Sequence, residues 1–428
     1  MRFSARAVTG RTFQSLSTRN YRLFFSGQLI SVTGSWLQST AQAWLILELT
    51  HSAFMLGLLV MVQFLPNLLL QPFGGVVSDR FPKRSLLYLT QGSFAVVAGV
   101  LGITVGLGIV RVWEVFLVVA LVGLINVVDG PTRQAFVPEM VGQDQLANAV
   151  ALNSTVFNAA RVVGPAAAGI LIATVGTALC FDLNAISYIA VLVALYLMRP
   201  EELHFWERKG SQVVGTLAQI REGARYAART PQVALVMVMM LVVGTFSYNF
   251  SVMIPALARE GLHSGAATFG LLSAALGVGA LGGALAVAYW GRATVTVLLA
   301  GCAIFGAFLA LAGQVGTLIP AMALLMVTGA GMIVYSSMSN SIIQLFTPAS
   351  LRGRVMSLYL WVFMGTTPIG SPIAGLIEQS LGSRAAMSVA GLAALATAAG
   401  GMVWWARRSR RSGSYPAASP PLAEAPTA

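Results

Sequence analysis

The stretch Gly74-Gly-Val-Val-Ser-Asp-Arg-Phe-Pro-Lys-Arg84 is a short charged run between two long apolar ones. Asp79, Arg80, Lys83 and Arg84 stand almost side by side in a chain of which only 9% is charged. An apolar segment that ends in Gly-Gly, then passes through one acid into three bases, reads as two membrane helices joined by a tight basic turn. Lys and Arg are retained on the cytoplasmic side of a bilayer, so the turn is expected to face the cytoplasm.

Composition extends this reading outward. Of the 428 residues, 57% are hydrophobic, too many for a soluble domain of this length. Several runs of about 20 apolar residues are long enough to cross a ~30 Å hydrocarbon core. A net charge of +12 raises the question of nucleic acid. The bases, however, are spread over short loops between apolar runs instead of gathered on one soluble face, which argues against a nucleic-acid partner. Cys180 and Cys302 lie far apart and imply no disulfide framework. The basic Met1–Asn20 precedes a full-length apolar run without a small-residue cleavage site, and reads as a cytoplasmic tail, not a signal peptide.

The expected fold is an all-α membrane protein of twelve transmembrane helices in two pseudo-symmetric six-helix bundles. The spans are placed at 22–47, 53–78, 85–105, 112–128, 146–174, 179–198, 231–257, 268–290, 294–314, 318–346, 355–380 and 384–406. Residues 1–20 form the N-terminal tail, 21–198 the first bundle and 231–406 the second. Between the bundles, 199–230 reads as a cytoplasmic linker, partly an amphipathic helix on the membrane surface. Residues 407–428, rich in Pro, Ala and Ser, read as a disordered tail. With both termini inside, most of the 26 Lys and Arg fall on the cytoplasmic side. Arg111, Arg259 and Arg384 are left outside, and Arg161 falls within a span.

The two halves echo each other. Gly74-Gly75 and Arg84 have counterparts in Gly282-Gly283 and Arg292, with Val287 in place of Asp79. Leu146, Val150, Gly164-Pro165 and Gly169 are matched by Leu351, Val355, Gly370-Ser371-Pro372 and Gly375. Two matches in order at nearly one offset argue for a duplicated unit. Parallel repeats with a site between them are a transporter architecture.

Polar residues inside spans are the candidates for function. Arg161 lies deep in the fifth span, where a guanidinium is costly and should face the interior with a partner. Asp129, Asp182 and Glu48 are the candidate counter-ions, and a purely structural ion pair competes with a coupling role. Gln63, Asn67 and Gln71 form a stripe on the second span. No metal cluster or phosphate loop is present, the three histidines are scattered, and neither an enzyme nor a bound cofactor is expected.

The turn at Gly75, Asp79, Arg80, Lys83 and Arg84 resembles the loop signature of the major facilitator superfamily, Gly-x-x-x-Asp-Arg-x-Gly-Arg-Arg/Lys. Pro82 stands where that family usually has Gly. Tyr21-Arg-Leu-Phe-Phe-Ser-Gly-Gln-Leu-Ile-Ser, Asp129-Gly-Pro-Thr-Arg133, Pro138-Glu-Met-Val141 and Leu146-Ala-Asn-Ala149 are similar to its enterobactin-exporter and macrolide-efflux branch. The resemblance implies that the signature braces the second span against the eleventh. Asp79 would accept from backbone N–H groups near Arg354, at the positive end of a helix dipole, and Arg80 or Lys83 would pair with Asp129 at the inner end of the fourth span. The alternative is a solvated basic loop. Gly164, Pro165 and Gly169 resemble a thinner form of the exporters' antiporter signature, with ordinary small-residue packing as the competing reading.

The resemblance also puts the first, fourth, seventh and tenth spans around a central cavity. There Gln38, Gln42, Asn126, Tyr248, Asn249, Tyr335 and Asn340 join Arg161 as substrate or coupling candidates, against a reading as interhelical hydrogen bonds. The implied function is a monomeric secondary-active exporter of a small amphiphilic organic compound such as a siderophore, macrolide or drug. It would work by alternating access, with protons as the counter-ion, in a bacterial inner membrane. An importer, a lysophospholipid flippase and a non-transporting sensor or scaffold are the alternatives.

Overall fold

The computed structural model describes residues 13–204, 216–290 and 293–411. Expectations placed on the outer parts of both tails, the middle of the linker and Arg292 concern residues outside this set. The described residues contain helices and no strand.

The helices are α1 (Arg19–Thr50), α2 (Ala53–Arg80), α3 (Lys83–Gly106), α4 (Val112–Val141), α5 (Leu146–Thr174), α6 (Ala178–Leu197) and α7 (Thr216–Arg229). They continue with α8 (Pro231–Phe246), α9 (Phe250–Ala256), α10 (Ala266–Trp290), α11 (Val295–Ala312), α12 (Leu318–Leu345), α13 (Ala349–Leu381) and α14 (Ser383–Arg411). Eleven segments among the described residues are long and apolar enough to cross a membrane, one of them the run Pro231–Gly261 through α8 and α9. The twelfth expected span, α1, has the length at 32 residues, but its Ser, Thr and Gln keep it outside that set. Many apolar side chains are exposed along these helices, for example Leu69, Leu89, Ile186 and Leu285, as a bilayer solvent requires.

Local chemistry sets the boundaries. Ser52 caps α2 by accepting from the Met55 N–H at 3.2 Å, and Thr294 caps α11 in the same way. His51 closes α1 in the left-handed region at φ 51°, and Gly142 and Gly382 take positive φ after α4 and α13.

Four expectations are corrected. The fourth span does not end at Val128: α4 runs on through Pro131 and Pro138 to Val141, so Asp129 lies inside a helix and the expected 4/5 loop is mostly helical. A proline costs its own N–H bond, but neighbouring groups in a bundle make good the loss. The seventh span is not continuous. It breaks at Ser247–Asn249, resumes as α9 with Pro255 inside it, and ends in a π-helical turn, Leu257–Gly261. The last helix extends to Arg411, into the tail expected from 407. At the other end, a 3-10 turn at Gln14–Ser17 and the start of α1 at Arg19 fall within the tail expected over 1–20. Ser15 anchors that turn through its Oγ to Asn148 Oδ1 at 2.6 Å.

The linker contains the expected amphipathic helix. In α7, Gly223 and Ala227 are buried four residues apart, while Arg221, Glu222, Arg225 and Arg229 are exposed. Its Tyr226 hydroxyl donates to the Phe346 carbonyl at 2.6 Å, and Glu222 pairs with Arg354.

The chain divides into two compact units. The first comprises Met1–Gln212, Phe250–Gly277 and Ser371–Ser383. It contains α1 to α6, α9, the π-turn, the first half of α10 and the last turns of α13. Its core includes Tyr21, Phe24, Leu87, Phe136, Met140 and Leu195. The second unit comprises Val213–Asn249, Val278–Gly370 and Arg384–Ala428, with Val236, Phe305, Leu325 and Tyr335 among its fully buried side chains.

Candidate functional site

In the first unit, α2 and α4 meet at a glycine. Pro131 has no N–H to offer the Val127 carbonyl one turn back, and that carbonyl oxygen lies against Gly74, where an added Cβ would overlap it. Gly123 lies in the same way against the Gln63 carbonyl of α2. Gly75, the glycine that matches the loop signature, meets open space.

This close approach frames a charged pair with a buried carboxylate and a partly buried guanidinium. Asp129, 1% exposed, pairs with Arg133 one turn on along α4. Its Oδ1 also accepts from Thr90 Oγ1 at 2.7 Å and Gln91 Nε2 at 2.8 Å, both on α3. Arg133 donates from its other terminal nitrogen to Gln28 Oε1 on α1. A guanidinium and carboxylate are tolerable at this depth because each is bonded on more than one side. The expected partners of Asp129 are therefore corrected: Lys83 pairs instead with Glu139 at 2.7 Å, and Arg80 is exposed. Arg84 donates to the Leu195 carbonyl at 2.7 Å and so satisfies the carbonyl end of α6. Asp79 is also exposed.

Arg133 borders a polar cavity of about 120 Å³ lined by Gln38, Gln42, Gln63, Asn126, Asn184 and Tyr188. Asn184 Nδ2 donates to Gln38 Oε1 at 2.6 Å, and the Tyr188 hydroxyl lies 3.2 Å from Ser35 Oγ. Asn126 donates to its own helix, to the Val122 carbonyl at 2.9 Å, while Gln42 Nε2 is buried without a hydrogen-bond partner. Ligand pockets for drug-sized molecules are of roughly 300–1,000 Å³, so this cavity has room for one polar group and not for a whole molecule of that size. Arg133, Asn184 and Tyr188 were missing from the sequence-derived candidates. A mid-helix Asp at i with Arg at i+4 was the readable signal for the first of them.

The Arg161 guanidinium lies over the Trp36 ring, 6.0 Å from the centroid. Glu48 accepts from Trp44 Nε1 at 2.6 Å, and Asp182 packs on Gly102.

The Gly-Pro segment of α5 packs on two sides. Gly164 faces Trp36 Cβ and the Thr33 carbonyl on α1; Gly169 faces the Ala266 carbonyl and Gly270 on α10, and Gly270 faces the Pro165 carbonyl in return. The counterpart on α13 repeats both contacts. Within the second unit, Gly370 faces the Thr245 carbonyl and Asn249 on α8 and the break after it; within the first, Gly375 faces the Ala53 carbonyl on α2. The α5 contacts with α1 and α10 are thus matched by the α13 contacts with α8 and α2. A similar echo joins Gly283 on α10 to the Ala330 carbonyl on α12, as Gly74 joins Val127.

The remaining candidates lie in the second unit. Asn249 donates to the Thr245 carbonyl at 2.7 Å, and Tyr248 donates to the Met332 carbonyl at 3.2 Å. The Tyr248 ring packs with Phe305, Tyr335 and Phe363. Tyr335 is fully buried with its hydroxyl unbonded, and Asn340 accepts from Gln344 on its own helix.

The fold is that of a membrane transporter. A bacterial homologue of the lysosomal transporter Spinster, in an inward-facing and occupied state, superposes with a TM-score of 0.72 at 14% identity, over 94% of this chain and 99% of that one. A bacterial homologue of the iron transporter ferroportin gives 0.67 at 16% identity, over 90% and 98%. The profile of the transmembrane secretion effector family matches residues 10–421, and the chain belongs to that family, within the major facilitator superfamily. It is a multi-pass membrane protein of a transporter family, not an enzyme.

Among characterised relatives, the staphyloferrin A transporter of Staphylococcus aureus is 25% identical over 58% of this chain and 62% of its own length. Macrolide efflux protein A of Streptococcus pyogenes is 27% identical over 41% and 43%. The multidrug efflux pump Tap of Mycolicibacterium fortuitum is 25% identical over 85% and 90%. The chain thus spans under two thirds of the first two and nearly all of the third.

Proposed function

We propose that this protein exports a small amphiphilic organic compound across a bacterial plasma membrane by alternating access, in exchange for protons, with both termini in the cytoplasm. It acts as a monomer of two six-helix bundles, residues 21–198 and 231–406, joined by the linker 199–230. Its relatives are named for siderophore, macrolide and multidrug transport, which supports the substrate class. The observation that carries the reading is the Asp129–Arg133 pair at the wall of a polar cavity inside helical packing. Such charges are expensive in a membrane and mark transport pathways. In this reading, Asp79 and its basic turn gate the cytoplasmic side, and the glycine contacts of α5 and α13 are the surfaces on which the helices rock.

Inverted vesicles loaded with the protein test this directly. Labelled staphyloferrin A, a labelled macrolide and a cationic dye are offered with and without a pH gradient. Accumulation inside the inverted vesicles that collapses with the gradient is the expected result. Movement only in the opposite sense favours an importer, and movement of lysophospholipid alone a flippase. Flux of none of these at full membrane abundance overturns the transport reading in favour of a sensor or scaffold.

A further inference from the structure

A second acidic site lies at the other end of the first unit, away from the basic turn. Glu378, in the last turns of α13, is 1% exposed. Neither carboxyl oxygen has a hydrogen-bond partner. It is buried because small residues let α13 and α2 come together around it: Gly375 on the Ala53 carbonyl, and Gly57 on the Ser371 carbonyl. Ser52 Oγ donates to Gln379 Oε1 at 2.9 Å across the same seam.

Among the described residues, no lysine, arginine or histidine nitrogen hydrogen-bonds to Glu378. The π-turn supplies Glu260, which is exposed. The neighbouring Arg259 is engaged elsewhere, donating to the Leu47 carbonyl at the end of α1 and to His51 Nδ1, the latter at 2.6 Å. Glu48 is bonded to Trp44. An ionised carboxylate buried without a donor costs far more than a neutral carboxyl. The packed seam therefore accepts Glu378 only with its proton on.

We propose that Glu378 is a proton-binding site coupled to the state of this end of the molecule: the seam between α2 and α13 closes when Glu378 binds a proton and opens when the proton leaves. The reaction is a simple ionisation. The carboxyl O–H bond breaks, the proton goes to water reached through the open seam, and the carboxylate stays solvated until it is reprotonated. Linkage fixes the sign. The closed form binds one proton more than the open form, so low pH favours closure and rising pH favours opening, by up to roughly tenfold per pH unit across the titration. In the export reading above, on which this rests, Glu378 is where proton binding is exchanged for a change of access.

The experiment uses the full chain in lipid nanodiscs, with Cys180 and Cys302 replaced by Ala and spin labels on Met55→Cys and Leu381→Cys, both exposed. The distance distribution is read from pH 5 to pH 9. A population that shifts from short to long as pH rises, by about tenfold or more, is expected. Glu378→Gln, which keeps shape but cannot ionise, should hold the short distance at every pH. Should that variant not insert, Glu378→Asp should move the midpoint. His51→Asn, which changes the other side-chain contact of Arg259, is read alongside; the shift should survive it. A pH-independent distance in the parent, or the same titration in Glu378→Gln, overturns the proposal. Vesicle flux that persists while Glu378→Gln leaves the distance response unchanged sinks this site alone. A Glu378-dependent distance response with no flux of any compound sinks the transport reading alone.

Discussion

Gly74 on α2 lies against the carbonyl oxygen of Val127 on α4, the carbonyl that Pro131 leaves without its helical donor. A glycine is the residue that lets another backbone come this close, and a proline is the residue that frees a carbonyl to meet it. Gly74→Ala should therefore drive the two helices apart and destabilise the protein by ~1–3 kcal/mol, the usual cost of overpacking. Gly75→Ala, whose new methyl meets open space, should leave the thermal midpoint of the purified protein unchanged. Equal melting of the two variants would show that the contact does not matter.

The Asp129–Arg133 pair makes a sharper test. Asp129→Asn leaves Arg133 in the interior with Gln28 alone among its named partners, and removing one partner of a buried pair costs ~3–5 kcal/mol. Changing both, Asp129→Leu with Arg133→Met, should recover most of the thermal stability but none of the flux. If the double variant transports as well as the parent, the pair is structural and does not mark the transport pathway.

Asp79 is exposed in this structure. Asp79→Asn, compared at equal membrane abundance, should impair flux in inverted vesicles severalfold. Unchanged flux at equal abundance would remove Asp79 from the gate.

Arg259 ties the π-turn to the end of α1 through the Leu47 carbonyl and His51. Hydrogen bonds from a charged donor contribute ~1.5–3 kcal/mol, so Arg259→Gln should lower the thermal stability of the purified protein by about that much. Melting at the parental midpoint would show that the contact carries no load.

Much of this was legible in the chain itself. Apolar runs of membrane length, a basic turn after Gly74-Gly75 and an echo between Gly164–Gly169 and Gly370–Gly375 were enough for the class, because hydrophobic length and glycine spacing are local properties. Where a polar side chain finds its partner is not local. Asp129 was expected at a helix end opposite Arg80 or Lys83, since Gly130-Pro131 looks like a stop. The bundle instead carries the helix past both prolines and gives Asp129 to Arg133, Thr90 and Gln91. Glu378 looks unremarkable near the end of an apolar run, and only the closing of α2 onto α13 strips its water away. The sequence determined that this chain crosses a membrane in repeated helical units; the tertiary structure decided which charges are buried together and which is buried alone, because desolvation depends on neighbours that come from distant parts of the chain.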